Sequence, residues 1–385
     1  MKIAILAPVS LQDFRSMFSQ ELPEGLQFSA LTPIIFELLK DNEVVIVTLD
    51  KKIKKPIIIK NNNLIIFVGI YRKYGKLRAL DSFNFEIKQM VNFLKKCPCD
   101  IYHAHWTYEF AMAAQKININ KTLITVHDWA PNIYNLIHDF YRKKRLTMSD
   151  KVLSKAYYVS CVSPYILDML KRAYPRIEAY MNPNCIQTFH KYNKRKYNNG
   201  VKTVICVNNG FGEIKNVKCA ILSFLRYHHN HPNSLLKMFG SGYEKNGVCN
   251  KWVIKNNLND PSIVFCGSLE HDLIIEEMCN ADVLLHTARE ESFGLVLAEA
   301  MMVGTPVVGG SCSGAVPWIL NNGEAGVMVN INSVASVCSG LESVLDDEYT
   351  WTKFSNAGYN YAFEHFSLKK VTDTYLEIYK KIVGK

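Results

Sequence analysis

The sequence predicts an α/β protein of two Rossmann-like, doubly wound domains facing one another across a cleft. Short β-branched runs alternate with longer amphipathic ones, the pattern of parallel sheets covered by helices. The alternation breaks once, near mid-chain, and then restarts. A length of 385 residues suits two or three domains at roughly 150 residues each, and each would be large enough to bury its own core.

The first set of strands reads Lys2–Ala7, Glu43–Leu49, Asn63–Gly69, Asp100–Ala104, Thr122–His127 and Tyr158–Ser163. Between them, Ala30–Lys40 aligns Leu31, Ile34, Ile35, Leu38 and Leu39 on one helical face. Leu80–Lys96 does the same with Phe83, Ile87, Met90, Val91 and Leu94. The rhythm breaks at Met181–Asn184 and over the basic stretch Lys191–Lys202, which puts the domain boundary at about 184–200. Thr203–Asn208, Ser234–Phe239, Ser262–Cys266, Asp282–His286 and Pro306–Gly309 form a second set of strands. The last segment, Leu368–Ile382, aligns Val371, Tyr375, Ile378 and Ile382 on one face of a helix.

Composition excludes several classes. With 48% hydrophobic residues the chain is not disordered, and 20 Gly with 13 Pro exclude collagen-like or low-complexity types. No apolar run reaches the ~18 residues of a membrane span. The first apolar run stops at Pro8, too short for a signal peptide, so a cytosolic chain is expected. The 11 cysteines are odd in number and lack a Cys-x-x-Cys pair, which predicts reduced, structural thiols. A net charge of +10, from 45 basic and 35 acidic residues, predicts an acidic partner: a nucleotide phosphate, a membrane surface or a nucleic acid.

Open parallel sheets bind ligands at the carboxyl ends of their strands. Two such edges suit a two-substrate enzyme. A dinucleotide enzyme would carry a Gly-x-Gly-x-x-Gly turn after the first strand, and Ala7–Leu11 has no glycine.

The richest stretch is Ala281–Gly326. A strand runs into Thr287–Glu291, then Ser292-Phe293-Gly294, then a helix from about Leu295 to Met302. Gly304 suits a left-handed helix end and Thr305-Pro306 stops the helix. A second strand-to-helix crossing follows at Gly310–Gly314, with Pro317 near its helix start. Helix N-termini with glycine loops favour phosphate. Ser292, Gly294, Ser311, Ser313 and Gly314 therefore form a candidate diphosphate cradle, although the same glycines would also serve tight turns. Glu291 and Glu299 lie eight residues apart. On one helix that is about 12 Å, too far for a hydrolytic pair at roughly 5–9.5 Å. Each is better read as an acceptor for hydroxyls, Glu291 for a sugar and Glu299 for a ribose diol. The neighbours of Glu299 are apolar, and a buried unpaired carboxylate is costly.

The run Glu291-Ser292-Phe293-Gly294-Leu295-Val296-Leu297-Ala298-Glu299-Ala300-Met301, followed by Gly304-Thr305-Pro306-Val307-Val308, resembles the donor-site signature of the family 4 glycosyltransferases. These are retaining enzymes of the GT-B fold. Phe239-Gly240-Ser241-Gly242 and Phe265-Cys266-Gly267 look like the family's strand-end glycine turns. Asp100–His105 and Thr125–Asp128 are similar to its strand-end histidine segments. Ser163-Pro164 and Asn182–Asn184 resemble its sites before the hinge. The last helix resembles the one that crosses back onto the first domain. The resemblance implies an acceptor domain at 1–185, joined by the helix 366–385, and a donor domain at 186–365.

What the resemblance implies is a retaining, hexosyl-type transfer from a nucleotide-diphospho-sugar to a glycan or lipid-linked glycan in surface polysaccharide biosynthesis. Donor contacts then fall on Gly210, Lys215, Gly240, Ser292, Phe293, Gly294, Leu295 and Glu299. Catalytic roles fall on His127, Glu291 and Lys215. The family's diphosphate-binding Arg would lie near Gly210 and is missing, with Arg289 or Lys218 as substitutes. The family's double-glycine loop is reduced to Pro23–Phe28, where Gly25 is the nearest match. Acceptor contacts fall on Gly25, His105, Trp106 and Asp128, with loops around Phe28, Trp106 and Trp129 setting specificity. The resemblance implies no metal or other cofactor, and the chain has no Asp-x-Asp tripeptide. In a front-face displacement the protein positions substrates and stabilises the leaving diphosphate.

Other readings remain beside this one. His103, His105 and His127 have the composition of a zinc site, or form a polar strand end. The basic clusters Lys51–Lys55 and Arg142–Arg145 suit an anionic membrane surface on the cytoplasmic side, or a solvated face. No nucleic-acid motif is present. Another GT-B activity, such as a nucleotide-sugar epimerase, and a non-catalytic nucleotide or glycan binder are the alternatives in function.

Overall fold

The computed structural model describes residues 1–26, 28–187 and 196–384. Gln27 of the Pro23–Phe28 loop and part of the basic stretch at 191–202 lie outside the described residues. The chain divides into two compact units, 1–185 with 368–385, and 186–367.

The first unit is an eight-stranded sheet of β1 (Lys2–Leu6), β2 (Glu43–Asp50), β3 (Ile57–Asn61), β4 (Leu64–Ile70), β5 (Ile101–His105), β6 (Thr122–Val126), β7 (Tyr158–Cys161) and β8 (Glu178–Met181). The spatial order is β3-β4-β2-β1-β5-β6-β7-β8. All neighbours are parallel except β3, which pairs antiparallel with β4 through a turn at Asn62 (φ 46°). The central strands are buried on both faces, which is why they read as continuous Val and Ile runs. β3 and β8 are edge strands that the sequence reading missed. The Ile57–Asn61 run follows a lysine cluster, and β8 is short and only half-buried.

The helix expected over Leu80–Lys96 runs over Asn84–Leu94, preceded by a separate short helix, Gly75–Leu80. They are separated by Ser82 and Phe83, both at positive φ. Phe83 is completely buried at this break, so core packing overrides helical periodicity. The C-terminal helix Leu368–Val383 returns to this unit. Val371, Tyr375, Ile378 and Ile382 all lie in its core with Ile34, Ile35 and Leu38 of the helix Thr32–Leu39.

The second unit is a six-stranded, all-parallel sheet of β9 (Lys202–Val207), β10 (Ser234–Phe239), β11 (Ile263–Gly267), β12 (Val283–His286), β13 (Val307–Gly310) and β14 (Val327–Val329), in the order β11-β10-β9-β12-β13-β14. The helices Val217–Asn230 and Val334–Leu345 contribute Ile221, Phe224, Leu341 and Val344 to one core. Trp351 joins it and donates its indole N–H to the Asp282 carbonyl at 2.7 Å.

Each sheet reverses direction once. In the first unit the chain winds outward from β1 through β2, then resumes on the other side at β5. In the second it winds from β9 through β10 and β11, then resumes at β12. The crevices at the carboxyl ends of β1/β5 and β9/β12 are therefore where such sheets hold ligands. Among the described residues no helix is long and apolar enough to cross a membrane.

Candidate active site

In the second unit the loops after β9, β10, β12 and β13 meet around the β9/β12 reversal. Gly210 lies after β9 at φ 85°; its N–H donates to the Ser241 carbonyl at 2.9 Å, and its own carbonyl accepts from the Tyr243 hydroxyl at 2.6 Å. Gly240, after β10, adopts φ 113°, and a Cβ there would stand 1.8 Å from the Asn208 carbonyl oxygen. Only glycine fits at that contact. The Arg289 N–H donates to the Ile214 carbonyl at 2.7 Å, and the Thr287 hydroxyl donates to the Asn216 carbonyl at 3.1 Å. The loop after β12 is thereby tied to the loop after β9. It is tied equally to the loop after β13, because Ala315 N–H donates to the Glu291 carbonyl at 2.8 Å.

These ties bring Lys215 and Glu291 together. Lys215 Nζ is 2.8 Å from Glu291 Oε1. His286, at the end of β12, places its Nε2 3.3 Å from the same oxygen. Burial pushes the Glu291 carboxyl up, but His286 and then Lys215 outweigh it and hold the group at about 2. Glu291 is an anion throughout the physiological range. His286 was not singled out from sequence; its place at a strand end beside the Glu291 loop was the only signal.

Several expectations change. Glu299 lies on the helix Leu295–Met302 but is not unpaired: His271 Nε2 is 2.8 Å from its Oε1. Phe293 is 3% exposed and packs edge-on against Trp318 and Phe366. Its side chain is committed to the core, which leaves its backbone for a ligand. Gly294 opens the helix in the left-handed conformation (φ 100°) and Leu295 is the first helical residue. Ser292 lies between Glu291 and this cap. The second crossing leads only to the four-residue helix Val316–Ile319, too short for the N-terminal phosphate site expected there. Gly314 is required by packing, since a Cβ would lie 2.2 Å from the Glu291 carbonyl oxygen. Ser313 is fully buried. The two cations offered for the missing Arg both turn to Glu213. Lys218 meets it at 2.7 Å and Arg289 at 3.8 Å. Arg289 also borders a pocket of about 330 Å³ lined by Ser311, Cys312, Asn330 and Asn332.

In the first unit the expected acceptor residues gather at the ends of β1, β5 and β6. Gly25 (φ 74°) donates its N–H to Asp50 Oδ2 at 2.7 Å, and a Cβ there would lie 2.3 Å from the Val9 carbonyl oxygen. Trp106 takes a positive φ of 66° after β5 and is pinned by its N–H to the Thr125 carbonyl at 2.9 Å. Its ring lies 4.3 Å from that of His127 and 4.8 Å from Phe28. His105 Nδ1 and His127 Nε2 are 2.8 Å apart. Asp128 accepts from the Tyr108 hydroxyl at 2.8 Å. Burial raises its carboxyl, while Tyr108 and Arg145 pull it back in part.

His103 does not join a metal set. Its Nδ1 lies 2.6 Å from the Tyr379 hydroxyl and its Nε2 2.7 Å from that of Thr125. Among the described residues no group of three His, Cys, Asp or Glu side chains is arranged to hold a metal. Burial pushes His103 and His127 down to about 3, and His105 well below its usual value. All three are neutral near pH 7. In the Arg142–Arg145 cluster the two arginines are tied to carboxylates, while Lys143 is exposed. Arg142 folds back on Asp139 at 2.8 Å, and Arg145 turns inward to Glu109, which is 2% exposed.

Residues 37–189 match the family described as Glycosyltransferase Family 4, and residues 189–361 match Glycosyl transferases group 1. The chain belongs to the family 4 glycosyltransferases and has the GT-B fold. It is 24% identical over 320 residues to N-acetyl-alpha-D-glucosaminyl L-malate synthase of Bacillus anthracis, covering 79% of each chain. A sucrose-phosphate synthase from Thermosynechococcus elongatus has the same fold, with a TM-score of 0.77 at 15% identity over 100% of this chain and 99% of that one. An Anabaena protein solved with UDP and glucose superposes with a TM-score of 0.72 at 15% identity, over 99% of this chain and 100% of that one.

Proposed function

We propose that the chain transfers a sugar, with retention, from a nucleotide-diphospho-sugar to a glycan or lipid-linked glycan acceptor in surface polysaccharide assembly. The observation that supports it most is the Lys215–Glu291 pair at the β9/β12 reversal. An ammonium there supplies charge for a leaving diphosphate. A carboxylate held at about 2 accepts hydrogen bonds from sugar hydroxyls and cannot donate them. Glu299 is assigned to the ribose diol, and the backbone at Gly210, Gly240 and Ser292–Leu295 to close approach of the donor. In this reading Lys215 carries the diphosphate charge without a metal. The Anabaena neighbour, solved with UDP and glucose, favours a uridine donor as the first to try.

His127 is buried and neutral, so it is assigned hydrogen bonding and packing rather than cationic catalysis. Gly25, His105, Trp106 and Asp128 are assigned to the acceptor. The Lys51–Lys55 cluster, with all four lysines exposed, is the remaining candidate for contact with an anionic membrane on the cytoplasmic side.

The test is calorimetry with UDP and GDP, followed by assay of nucleoside diphosphate release with membrane extracts as acceptor source. Acceptor-dependent release is expected. Tight nucleotide binding without it would leave a non-catalytic binder or an epimerase. The Bacillus relative, whose name specifies an L-malate product, favours a second reading with a small hydroxy-acid acceptor. Release driven by L-malate and not by extract would select it.

A further inference from the structure

We infer that His286 is the positioning residue for Glu291, its buried imidazole holding the carboxylate when Lys215 turns to the diphosphate of a donor. The inference rests on the donor-site reading above.

His286 closes β12, five positions before Glu291, and is 1% exposed. Neither ring nitrogen makes a well-formed hydrogen bond among the described residues. An imidazole left so in a core is costly, and an aliphatic side chain would fill the place without that cost. What the imidazole has nearby is Glu291, at 3.3 Å from Nε2. Lys215 meets the same oxygen at 2.8 Å and now holds the carboxylate. The groups that hold Glu291 low are thus His286, from β12, and Lys215, from the loop after β9.

One ammonium cannot serve both partners fully. A diphosphate carries more charge than a carboxylate and draws Lys215 toward it. Glu291 is only 17% exposed, so without Lys215 it becomes a buried carboxylate in need of a donor. A small turn of the His286 ring brings an Nε2–H into hydrogen-bond range. The carboxylate keeps the orientation that sugar hydroxyls require, and orientation is felt in the transition state. His286 acts through Glu291 and touches no substrate.

The test compares His286→Leu, which removes the donor, with His286→Gln, whose amide nitrogen reaches about as far as Nε2, and His286→Asn, whose amide falls short. In transfer assays His286→Leu is expected to lower kcat by about tenfold with little change in donor KM, and His286→Gln to restore most of it. If the Leu variant does not fold, the Gln and Asn variants decide: Gln active and Asn impaired supports the role, and equal activity overturns it. A second readout needs no sugar chemistry. Denaturation of His286→Leu, Lys215→Ala and the double variant should show the double losing more stability than the sum, because Glu291 then has neither partner. Additive losses overturn the inference. A wild-type chain that transfers no sugar overturns the donor-site reading instead, and the stability comparison still decides the role of His286.

Discussion

Lys215 Nζ and Glu291 Oε1 lie 2.8 Å apart, so the cation expected on a donor's phosphates and the carboxylate expected on its sugar are each other's partners. In the proposed function, donor entry divides this pair. Lys215→Ala should therefore weaken nucleoside diphosphate binding as well as turnover. Glu291→Ala should cut turnover by over ~10-fold, each change removing a charge-assisted contact of roughly 1.5–3 kcal/mol. The residues share one interaction, so the double variant should lose less than the sum. Calorimetry with UDP and initial rates on the four proteins check this. Unchanged turnover in either single variant would show that residue to be misassigned.

Two glycines in the loops after β9 and β10 should behave oppositely. Gly240→Ala drives a Cβ to 1.8 Å from the Asn208 carbonyl oxygen at a φ of 113°. Positive φ and backbone overlap together should cost at least about 2 kcal/mol, since strained conformations alone cost on the order of 1–3 kcal/mol. Gly212→Ala has no atom within 4 Å and no positive φ, so its stability should be unchanged or slightly raised. Thermal unfolding of both variants checks the contrast. Equal melting temperatures would mean that the turn after β10 relaxes.

The fold was legible where one physical signal dominated. Strands buried on both faces, such as Val44–Leu49 and Ile65–Val68, announce themselves as apolar runs. The helix Leu368–Val383 shows its buried face as a spacing of three and four. Three of the four edge strands, β3, β8 and β14, were missed, being short and only partly buried; the fourth, β11, was read from its Ile263–Phe265 run. The break at Ser82 and Phe83 was hidden because a buried Phe fits the helical pattern as well as it fits a turn. In the candidate site, Lys215 and Glu291 were legible as chemistry, but not as partners. The 76 positions between them are spanned by the order of strands in space. His271 beside Glu299 and Glu109 beside Arg145 were hidden for the same reason.

Stability should fall with acid earlier than carboxylate titration allows. His103 and His127 are held near 3 by burial, whereas an unfolded imidazole titrates near 6.5. Between about pH 6.5 and 3 the unfolded chain binds protons that the folded chain refuses, so stability drops as pH falls through that window. Glu291, held at about 2, adds a loss only below about pH 4.5. The interval from about pH 6.5 to 4.5 therefore separates histidine effects from that of Glu291. Each unit of offset is worth about 1.4 kcal/mol, so the urea midpoint should move clearly between about pH 7 and 5. His103→Gln, which keeps polar atoms for Tyr379 and Thr125, should make the slope shallower. A slope identical to that of the wild type would mean that His103 is already protonated in the folded chain.

The two arginines that read as one basic patch should separate sharply. Arg145 is stacked 3.5 Å over the Tyr108 ring and paired with Glu109, whose other oxygen takes the Tyr71 hydroxyl at 3.3 Å. Arg145→Leu leaves Glu109 buried with only that weak partner. Breaking a buried pair from one side costs roughly 3–5 kcal/mol, which should lower the melting temperature of the variant by roughly 6–20 °C. Arg145→Leu with Glu109→Leu removes both charges and should recover much of the loss, because the desolvation penalty goes with them. Arg142, paired with Asp139 in the first turn of the helix Phe140–Leu153 and about two-fifths exposed, should lose no more than ~0.5 kcal/mol on change to Ala. Denaturant midpoints of the four proteins check the ranking. Binding to anionic vesicles should be unchanged in Arg142→Ala if Lys51–Lys55 carries the membrane contact. A full loss of vesicle binding in that variant would return the contact to the Phe140–Leu153 helix.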